Sequence, residues 1–347
     1  MKAAVLYGPR NLKIQDKPIP SPGERDVLIR VKVTTICPTD LRKYTGHSTF
    51  RKPLILGHEF SGVIEEVGEK VDFLEKGDRV TVLPFIFCGN CKYCRLGKHN
   101  LCLKLGGIGG AAELGVKLDG SFAEYVKVPA ENVYKLGRNM TYTEGSLVEP
   151  LAASLGSLLN AELKPGETVL IVGAGPMGLL QISLARIMGA GRIIVSDLLD
   201  ERLKYAEEFG ADVVINPMRE SVYDVVMRET RKYGVDIAML STGGTITASL
   251  ASEALRFTAK GGRIVVFAGV WPPTNTSLDL NAIHYGERKL VGSFIYSREV
   301  FSRAVEVAAS GRINLERLVT HRFSLDDIEK AFQVALNKEG LKIALTP

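Results

Sequence analysis

A glycine-rich turn between an apolar strand and an apolar helix constrains the fold of this 347-residue chain more than any other feature. The run TVLIV ends at residue 172 and is followed by Gly173-Ala174-Gly175-Pro176-Met177-Gly178. From there to residue 294, strand-like runs such as RIIVSD, VDIAMLS and GGRIVVFAG alternate with helical ones. This alternation is typical of a doubly wound parallel sheet. We therefore predict an α/β domain over residues 148–294.

The same turn predicts a dinucleotide site. Glycines at these positions let the backbone approach a pyrophosphate, which rests at the helix N-terminus. Asp197 ends the next strand, and its carboxylate would accept hydrogen bonds from the adenosine ribose and repel a 2′-phosphate. The sequence thus favours NAD over NADP, although Arg202 could weaken that preference and Asp197 could instead cap the helix that begins near Asp200. The predicted cofactor-binding residues are Gly173, Gly175, Pro176, Met177, Gly178, Asp197 and Arg202.

Residues 1–147 show a different pattern, in which short β-type runs are separated by Gly and Pro turns. Runs such as DVLIRVKV, GVIEEVG, GDRVTVL and GSFAEYVKV indicate a barrel-like or partly open all-β domain. Residues 295–347 contain two helical patterns. We therefore predict a two-domain α/β protein, in keeping with a length beyond that of one compact core.

Composition argues against two classes of partner. The net charge is +5, and the basic residues are scattered among nearly as many acids, whereas a nucleic-acid surface needs clustered bases. The uncharged run 168–185 approaches the length of a membrane span, but its Gly and Pro residues favour a strand, a turn and a helix. The first residues have too short an apolar stretch for a signal peptide, so we expect a cytoplasmic protein without nucleic-acid or membrane partners.

Four of the five cysteines lie within fifteen residues, at Cys88, Cys91, Cys94 and Cys102. Four thiolates this close in sequence can surround one tetrahedral zinc ion and leave no position for a substrate. In a reducing cytosol, clustered cysteines bind metal more often than they form disulfides. We predict a structural zinc site that orders the lobe 88–102, with paired disulfides or a chance grouping as the alternatives.

The fifth cysteine, Cys37, precedes a His-Glu pair at His58 and Glu59. Thiolate, imidazole and carboxylate are all zinc ligands, and an incomplete set of protein ligands is typical of a catalytic site. By itself the pattern is weak, because a single Cys and a single His are usually core or surface residues.

Five motifs together resemble the zinc-dependent medium-chain dehydrogenases. They are ICPTD, LGHEFSGVIEEVG, LVEPLAASLGS, the four-cysteine lobe and GAGPMG, and they follow in order along essentially the whole chain. The resemblance implies a GroES-like β-barrel catalytic domain over 1–147 and a Rossmann NAD-binding domain over 148–294. It further implies that 295–347 returns to the catalytic domain, and that each subunit holds one catalytic and one structural zinc.

The resemblance also implies a set of catalytic zinc ligands. Cys37 and His58 match two of them, and Glu59 matches an acid that binds the metal directly or exchanges with water. Glu149 stands where simple alcohol dehydrogenases commonly carry a third-ligand Cys. A Glu at this position is similar to the polyol and threonine dehydrogenase branch of the family.

Two further residues match supporting roles in that family. Asp40 matches an acid that orients His58 and fixes its tautomer. Thr39 matches a hydroxyl that passes the substrate proton onward, although a helix N-cap is an alternative role for it.

The chain departs from the family pattern in two places. Arg42 stands where several relatives place a proton-relay or substrate-contacting His, and an arginine cannot relay a proton in the ordinary way. Where the polyol branch commonly has an Arg before a Tyr, this chain has Ile295-Tyr296, with Arg298 two residues later. Arg42, Tyr296 and Arg298 are therefore candidate substrate contacts, and the loop residue His47 is left without a role.

The expected reaction is the reversible oxidation of a secondary alcohol to a ketone, with hydride transfer to NAD and zinc lowering the pKa of the hydroxyl. We expect a polyol, sugar alcohol or sugar acid as substrate, since Arg42 would suit a carboxylate. L-threonine 3-dehydrogenase shares the His-Glu and VEP patterns and is the alternative. A non-catalytic nucleotide-binding relative would be expected to lose the zinc ligands, and all are present here.

An oligomer is expected, because dimers and tetramers joined at the edge of the Rossmann sheet are usual in this family. The stretch KLVGSF is the predicted edge strand, and an exposed apolar edge invites pairing with another chain.

Overall fold

The computed structural model describes residues 1–48, 50, 52–108, 111 and 117–347. The chain divides into two compact units. The first contains residues 1–152 together with 296–347, and the second contains residues 153–295.

The N-terminal segment is rich in strands, which are listed here with its helices. They are β1 (Lys2–Gly8), β2 (Asn11–Asp16), β3 (Asp26–Thr35), α1 (Pro38–Thr45), β4 (Leu54–Ile55), β5 (Glu59–Val67), β6 (Arg79–Val82), β7 (Phe85–Ile86), α2 (Lys92–Arg95), β8 (Gly106–Ile108), β9 (Lys117–Leu118), β10 (Tyr125–Pro129), β11 (Val133–Lys135), α3 (Tyr142–Ser146) and α4 (Val148–Asn160). Short 3-10 turns span His99–Leu101 and Ala130–Asn132.

The second unit alternates strands and helices as predicted. Its elements after α4 are β12 (Thr168–Val172), α5 (Pro176–Ile187), β13 (Arg192–Ser196), α6 (Asp200–Glu208), β14 (Val213–Ile215), α7 (Val222–Glu229), β15 (Val235–Leu240), α8 (Ile246–Phe257), β16 (Thr258–Val266), α9 (Leu280–Gly286) and β17 (Lys289–Gly292). The six strands form one parallel sheet in the order β14-β13-β12-β15-β16-β17. This order, 3-2-1-4-5-6 in sequence terms, confirms the predicted doubly wound parallel sheet.

The C-terminal segment adds α10 (Arg298–Ala309), β18 (Val319–Ser324), α11 (Ile328–Leu336) and β19 (Lys342–Thr346) to the first unit, with 3-10 turns at Leu315–Leu318 and Leu325–Asp327. The main sheet of this unit runs β11-β6-β5-β3-β19-β18, and β10 also pairs with β3. The last strand of the chain therefore lies beside β3, and β3 also pairs with β5.

Alternation of buried and exposed residues explains these strands. In the first unit, Val27, Ile29 and Val31 of β3 point into one core with Phe60 and Ile64 of β5. The central strands of the second unit are buried on both faces and read as continuous apolar runs, as parallel strands do.

The uncharged run 168–185 forms strand β12, a turn and most of helix α5, as the sequence predicted. Across the described residues, none of the helices combines the length and the apolar character that a membrane crossing requires.

Candidate active site

Cys37, His58 and Glu59 meet in the first unit. One ligand atom from each lies within 4.8 Å of the other two. The sheet brings them together, because Thr35 at the end of β3 pairs with Glu59 at the start of β5. Cys37 is the N-cap of α1, and its Sγ accepts a weak hydrogen bond from the backbone N–H of Thr39 at 3.5 Å. The arrangement offers sulfur, nitrogen and oxygen donors at one point, a set suited to zinc.

Asp40 is fully buried and serves both Cys37 and His58. Its Oδ2 accepts the backbone N–H of Cys37 at 2.9 Å, and its Oδ1 lies 3.5 Å from Nδ1 of His58. Burial lowers the pKa of His58, but the negative charges of Asp40 and Cys37 outweigh it, so the pKa is raised well above its ordinary value. With Nδ1 turned towards Asp40, Nε2 is the ring nitrogen left for a metal.

Glu149 lies in the first turn of α4, buried beside this group but outside the set of three ligand atoms. Its Oε1 accepts a hydrogen bond of 2.9 Å from the hydroxyl of Tyr296, which is also buried. Burial and the nearby charge of Glu59 raise the pKa of Glu149 to about 7, against the opposing effect of His58. The Tyr296 ring packs edge-to-face on Phe85. Tyr296, which the sequence predicts as a substrate contact, thus holds the predicted metal ligand Glu149 by a hydrogen bond.

Lys342 is a residue that sequence reasoning missed. It lies in β19, its side chain is buried, and its Nζ is 2.5 Å from both carboxylate oxygens of Glu59. The hydroxyl of Thr35 also donates to Glu59, at Oε2. Burial lowers the pKa of Lys342, but Glu59 and Cys37 outweigh it and the pKa is raised. In the sequence, the feature that could have drawn attention to it is that this lysine begins the otherwise apolar run KIAL.

The four remaining cysteines form a second group, with one sulfur from each within 4.8 Å of the others. The closest sulfur pairs are separated by 3.5 to 4.0 Å. Four thiolates around a tetrahedral zinc with bonds of 2.3 Å would be about 3.8 Å apart, whereas a disulfide bond is about 2.05 Å long. None of these four cysteines forms a disulfide bond in the structure. Backbone N–H groups of Cys94 and Leu103 lower the pKa of Cys91 to about 6, which favours a thiolate ligand.

The glycine-rich turn of the second unit has the geometry that its sequence predicts. Gly173 has φ +109°, and a Cβ on Gly178 would lie 1.9 Å from the carbonyl oxygen of Gly173. Helix α5 begins at Pro176, and its N-cap Gly175 provides no side-chain cap. The backbone N–H groups at this helix N-terminus therefore suit an anionic group such as a pyrophosphate.

Asp197 lies at the end of β13, beside this turn. Its Oδ2 accepts the N–H of Ala174 at 2.7 Å, and its Oδ1 accepts the N–H of Leu199 at 2.9 Å. The N-cap of α6 is Leu199, without a side-chain cap, so the alternative in which Asp197 caps this helix is wrong. An Nη1 atom of Arg202 lies 3.7 Å from the Cβ position of Gly175, which places this positive charge beside the glycine turn.

Thr39 and Arg42 lie on α1 next to the cysteine. Cys37, not Thr39, is the N-cap, so the capping alternative for Thr39 is wrong. The exposed Arg42 donates from Nη2 to Oγ1 of Thr39 at 3.3 Å. His47 contacts Thr45 through Nδ1 at 2.8 Å.

Arg298 makes structural contacts. Its guanidinium donates to the carbonyl of Glu131 at 2.7 Å and to Oδ1 of Asn132 at 3.3 Å, and it lies over the ring of Phe87. It also forms an ion pair with the Glu131 carboxylate at 3.0 Å. These partners occupy Arg298, and its role as a substrate contact stays an untested prediction.

Comparison with known proteins establishes the family. Residues 23–138 match the family model of the alcohol dehydrogenase GroES-like domain, and residues 176–310 match that of the zinc-binding dehydrogenases. Sorbitol dehydrogenase from Bacillus subtilis (strain 168) is 35% identical over 100% of this chain and 97% of its own. L-threonine 3-dehydrogenase from Burkholderia vietnamiensis is 34% identical over 94% of this chain and 93% of its own.

Solved structures agree. A zinc-binding dehydrogenase from Sinorhizobium meliloti 1021, solved with NADP bound, superposes with a TM-score of 0.93 at 31% identity, covering 100% of this chain and 99% of that one. The chain therefore belongs to the zinc-dependent medium-chain dehydrogenases, as its motifs predicted. It is an oxidoreductase of the alcohol and polyol dehydrogenase class that works with zinc and a nicotinamide cofactor.

The raised pKa values of His58 and Glu149 predict a strong pH dependence of metal binding. Both groups bind metal only when deprotonated, and both hold their protons at higher pH than usual, so zinc must displace protons near pH 7. We expect zinc affinity to fall as pH drops from about 8 to 6. At pH 7, Glu149→Gln should release about half a proton fewer on binding, because a group with a pKa of about 7 is half protonated there. Calorimetry in buffers of different ionisation enthalpy measures the number of protons released on zinc binding. Glu66→Gln, an exposed site on β5, is the control, and equal proton release by all three proteins would contradict the prediction.

Proposed function

We propose that this protein is a zinc- and NAD-dependent dehydrogenase that oxidises a secondary alcohol of a polyol, sugar alcohol or sugar acid to the ketone, reversibly. The observation that carries the proposal is the buried group of Cys37, His58 and Glu59, with Glu149 beside it. Three of these four donors would hold a tetrahedral metal ion and leave its fourth position for a substrate oxygen. The residues 1–152 and 296–347 would be the catalytic domain, and 153–295 the cofactor domain.

Two zinc ions per chain are part of the proposal. Cys37 and His58, whose ligand atoms lie together with one of Glu59, would hold the catalytic ion, with the nearby Glu149 as the third ligand. The four cysteines of the 88–102 lobe would hold the structural ion. The sulfur spacing of the lobe and the mixed donors of the first group fit these two roles. When bound, the catalytic ion supplies Lewis acidity that lowers the pKa of an alcohol and polarises a ketone.

The chain's own residues divide the remaining work. Asp40 holds the His58 ring in one orientation, and Tyr296 fixes Oε1 of Glu149 through its hydrogen bond. The hydroxyl of Thr39 accepts the proton released by the alcohol and passes it towards solvent. As it accepts that proton, the Thr39 hydroxyl would release its own towards solvent. Arg42 donates to Oγ1 of Thr39 and so orients the hydroxyl, and it does not itself relay the proton.

The substrate class rests on Arg42. Its exposed guanidinium donates to the side chain of Thr39, and the backbone N–H of Thr39 in turn donates to Sγ of Cys37. A substrate carboxylate or polyhydroxyl chain bound near the predicted metal group could therefore contact Arg42. The identities to the sorbitol and threonine relatives, 35% and 34%, do not separate the two activities. L-threonine 3-dehydrogenase is therefore the second candidate. It is supported by the 34% identity to the threonine relative and by Glu149, which is similar to the polyol and threonine dehydrogenase branch.

NAD is the proposed cofactor because Asp197 presents a carboxylate, held by two backbone N–H groups, at the end of β13. A carboxylate there repels a 2′-phosphate. Arg202 and the NADP-bound relative argue in the other direction, so the preference is open to a direct test.

We also propose a homo-oligomer, a dimer or a tetramer. Strand β17 is the edge of the parallel sheet, and its neighbourhood exposes large apolar side chains. Leu280 is 74% exposed, Tyr285 76% and Leu290 49%. An open strand edge flanked by such residues favours pairing with a second copy. A cytoplasmic location stays a prediction.

The function is tested by NADH formation at alkaline pH across polyols, sugar acids and L-threonine. We expect turnover on a polyol or sugar acid that a zinc chelator abolishes. Cys37→Ala should lower that turnover by more than about 100-fold and keep NAD binding, because loss of a mere partner of a metal ligand already costs about 10–100-fold. Activity on threonine alone would favour the second candidate, and undiminished turnover in Cys37→Ala would rule out the catalytic zinc site.

The cofactor preference is tested at Asp197. Replacing it by Ser removes the charge that repels a 2′-phosphate, so the ratio of kcat/KM for NAD over NADP should fall by about tenfold or more. Asp200→Asn is the matched control, because that acid lies in the same region but pairs with Arg219 and Asn216. An equal ratio in Asp197→Ser and the native protein would contradict the proposed role.

The oligomer is tested at Leu290 in β17. Leu290→Lys places a charge on the open edge and should convert the native oligomer to smaller species in sedimentation velocity. Met218→Lys, at another exposed apolar residue of the same unit, should leave the sedimentation coefficient unchanged. A native protein that sediments as a monomer at micromolar concentration would refute the proposal.

A further inference from the structure

A buried lysine with no assigned role contacts the predicted metal group. Lys342 is 3% exposed, and lysines are almost never this buried unless they are paired. Its Nζ contacts both oxygens of Glu59 at 2.5 Å and lies 3.4 Å from the carbonyl of Ile36. It is separated from Glu59 by 283 residues in sequence, and β19 carries it to the site.

The two glutamates of the site are held differently. Both oxygens of Glu59 contact Lys342, and one also accepts the hydroxyl of Thr35. Glu149 has one oxygen bonded to Tyr296. The charge of Glu59 is therefore balanced by Lys342, and both of its oxygens accept hydrogen bonds from protein groups. One of these oxygens nevertheless lies among the metal-ligand atoms.

Charge balance gives this difference a consequence. A zinc ion held by one thiolate, one carboxylate and a neutral imidazole has its two charges balanced by Cys37 and Glu149. Glu59 and Lys342 then form a neutral pair beside it. Without Lys342, the Glu59 carboxylate would be a buried charge with one hydroxyl partner, and coordination to the zinc would be its most favourable way to regain a counter-charge.

We propose that Lys342 is a positioning residue that restrains Glu59 and so keeps the fourth coordination position of the catalytic zinc available to substrate. The proposal rests on the proposed function, since it takes Cys37, His58 and Glu149 as the ligands. It adds a lysine that decides how Glu59 and the substrate compete for one position.

A purely structural role would also explain a buried lysine. Lys342 begins β19, which pairs with β3 through Ala344 and Thr35, and its contact with Ile36 helps to anchor that strand. Loss of either role would lower stability, because breaking a buried ion pair leaves an uncompensated charge in the interior. Thermal stability alone therefore does not separate the two roles, whereas the coordination of the metal does.

The experiment uses the full-length protein with cobalt(II) in the catalytic site, where visible absorption reports coordination, and imidazole as the probe. In the native protein, imidazole should enter the open position and shift the spectrum. In Lys342→Met, Glu59 should occupy that position, and imidazole affinity should fall by at least about tenfold, as when a partner of a metal ligand is lost. Lys342→Met with Glu59→Gln should restore the native response, and Lys342→Arg should retain it.

Arg263→Met is the matched control, because it breaks the ion pair of a buried arginine with the half-buried Glu167 in the second unit. It should lower thermal stability and leave the cobalt spectrum and the imidazole affinity unchanged. If Lys342→Met does not fold, Lys342→Gln keeps a donor without the charge and should show a smaller loss of imidazole affinity in the same direction.

Native imidazole affinity in Lys342→Met or Lys342→Gln, together with lowered stability, would overturn the proposal and leave only the anchoring role. A loss that Glu59→Gln does not reverse would overturn it as well. If the native protein and Cys37→Ala show the same thiolate charge-transfer absorption, Cys37 does not bind the cobalt. That result would refute the proposed function, and the inference with it.

Discussion

The antiparallel pairing of β3 with β5 is the constraint on which the site depends. It places Thr35 opposite Glu59, and Cys37 follows two residues after Thr35, so the thiol arrives beside the His-Glu pair without any long loop. The same β3 residues pair with β19, which delivers Lys342 to the other side of Glu59. A one-residue slip in either pairing would turn these side chains to the opposite face and dissolve the site.

Several ionisable groups are buried in a small volume here, and burial of an isolated charge would be costly. Each is compensated: Glu59 by Lys342, His58 by Asp40, and Glu149 by the hydroxyl of Tyr296. The compensation of Glu149 is the least complete, since its partner is neutral, and its pKa is raised accordingly. A divalent ion would complete it, which explains why a cluster of acids can persist in this position.

The sequence predicted what is encoded locally. The cysteine run, the glycine turn and the strand–helix alternation each lie within a short stretch, and their spacing has few structural solutions. The contacts of Lys342 with Glu59 and of Tyr296 with Glu149 join residues 283 and 147 positions apart, and no local pattern specifies them. Likewise, the strand order around β3 follows from tertiary packing. The N-cap positions that Thr39 and Asp197 could have taken are occupied by Cys37 and Leu199.

The two arginines singled out by sequence show how context separates chemistry from packing. Arg298 is anchored by Glu131, Asn132 and the ring of Phe87, so its charge is already neutralised and its donors are engaged. Arg42 is exposed and donates to the neutral hydroxyl of Thr39, and within the described part of the chain no acid forms an ion pair with it. In the proposed function, a permanent positive charge at this position would favour an anionic or hydroxyl-rich substrate over a plain alcohol, because such a substrate would offset the desolvation of the guanidinium. Substrate choice would therefore lie with an exposed side chain of α1, while the buried residues behind it set the chemistry.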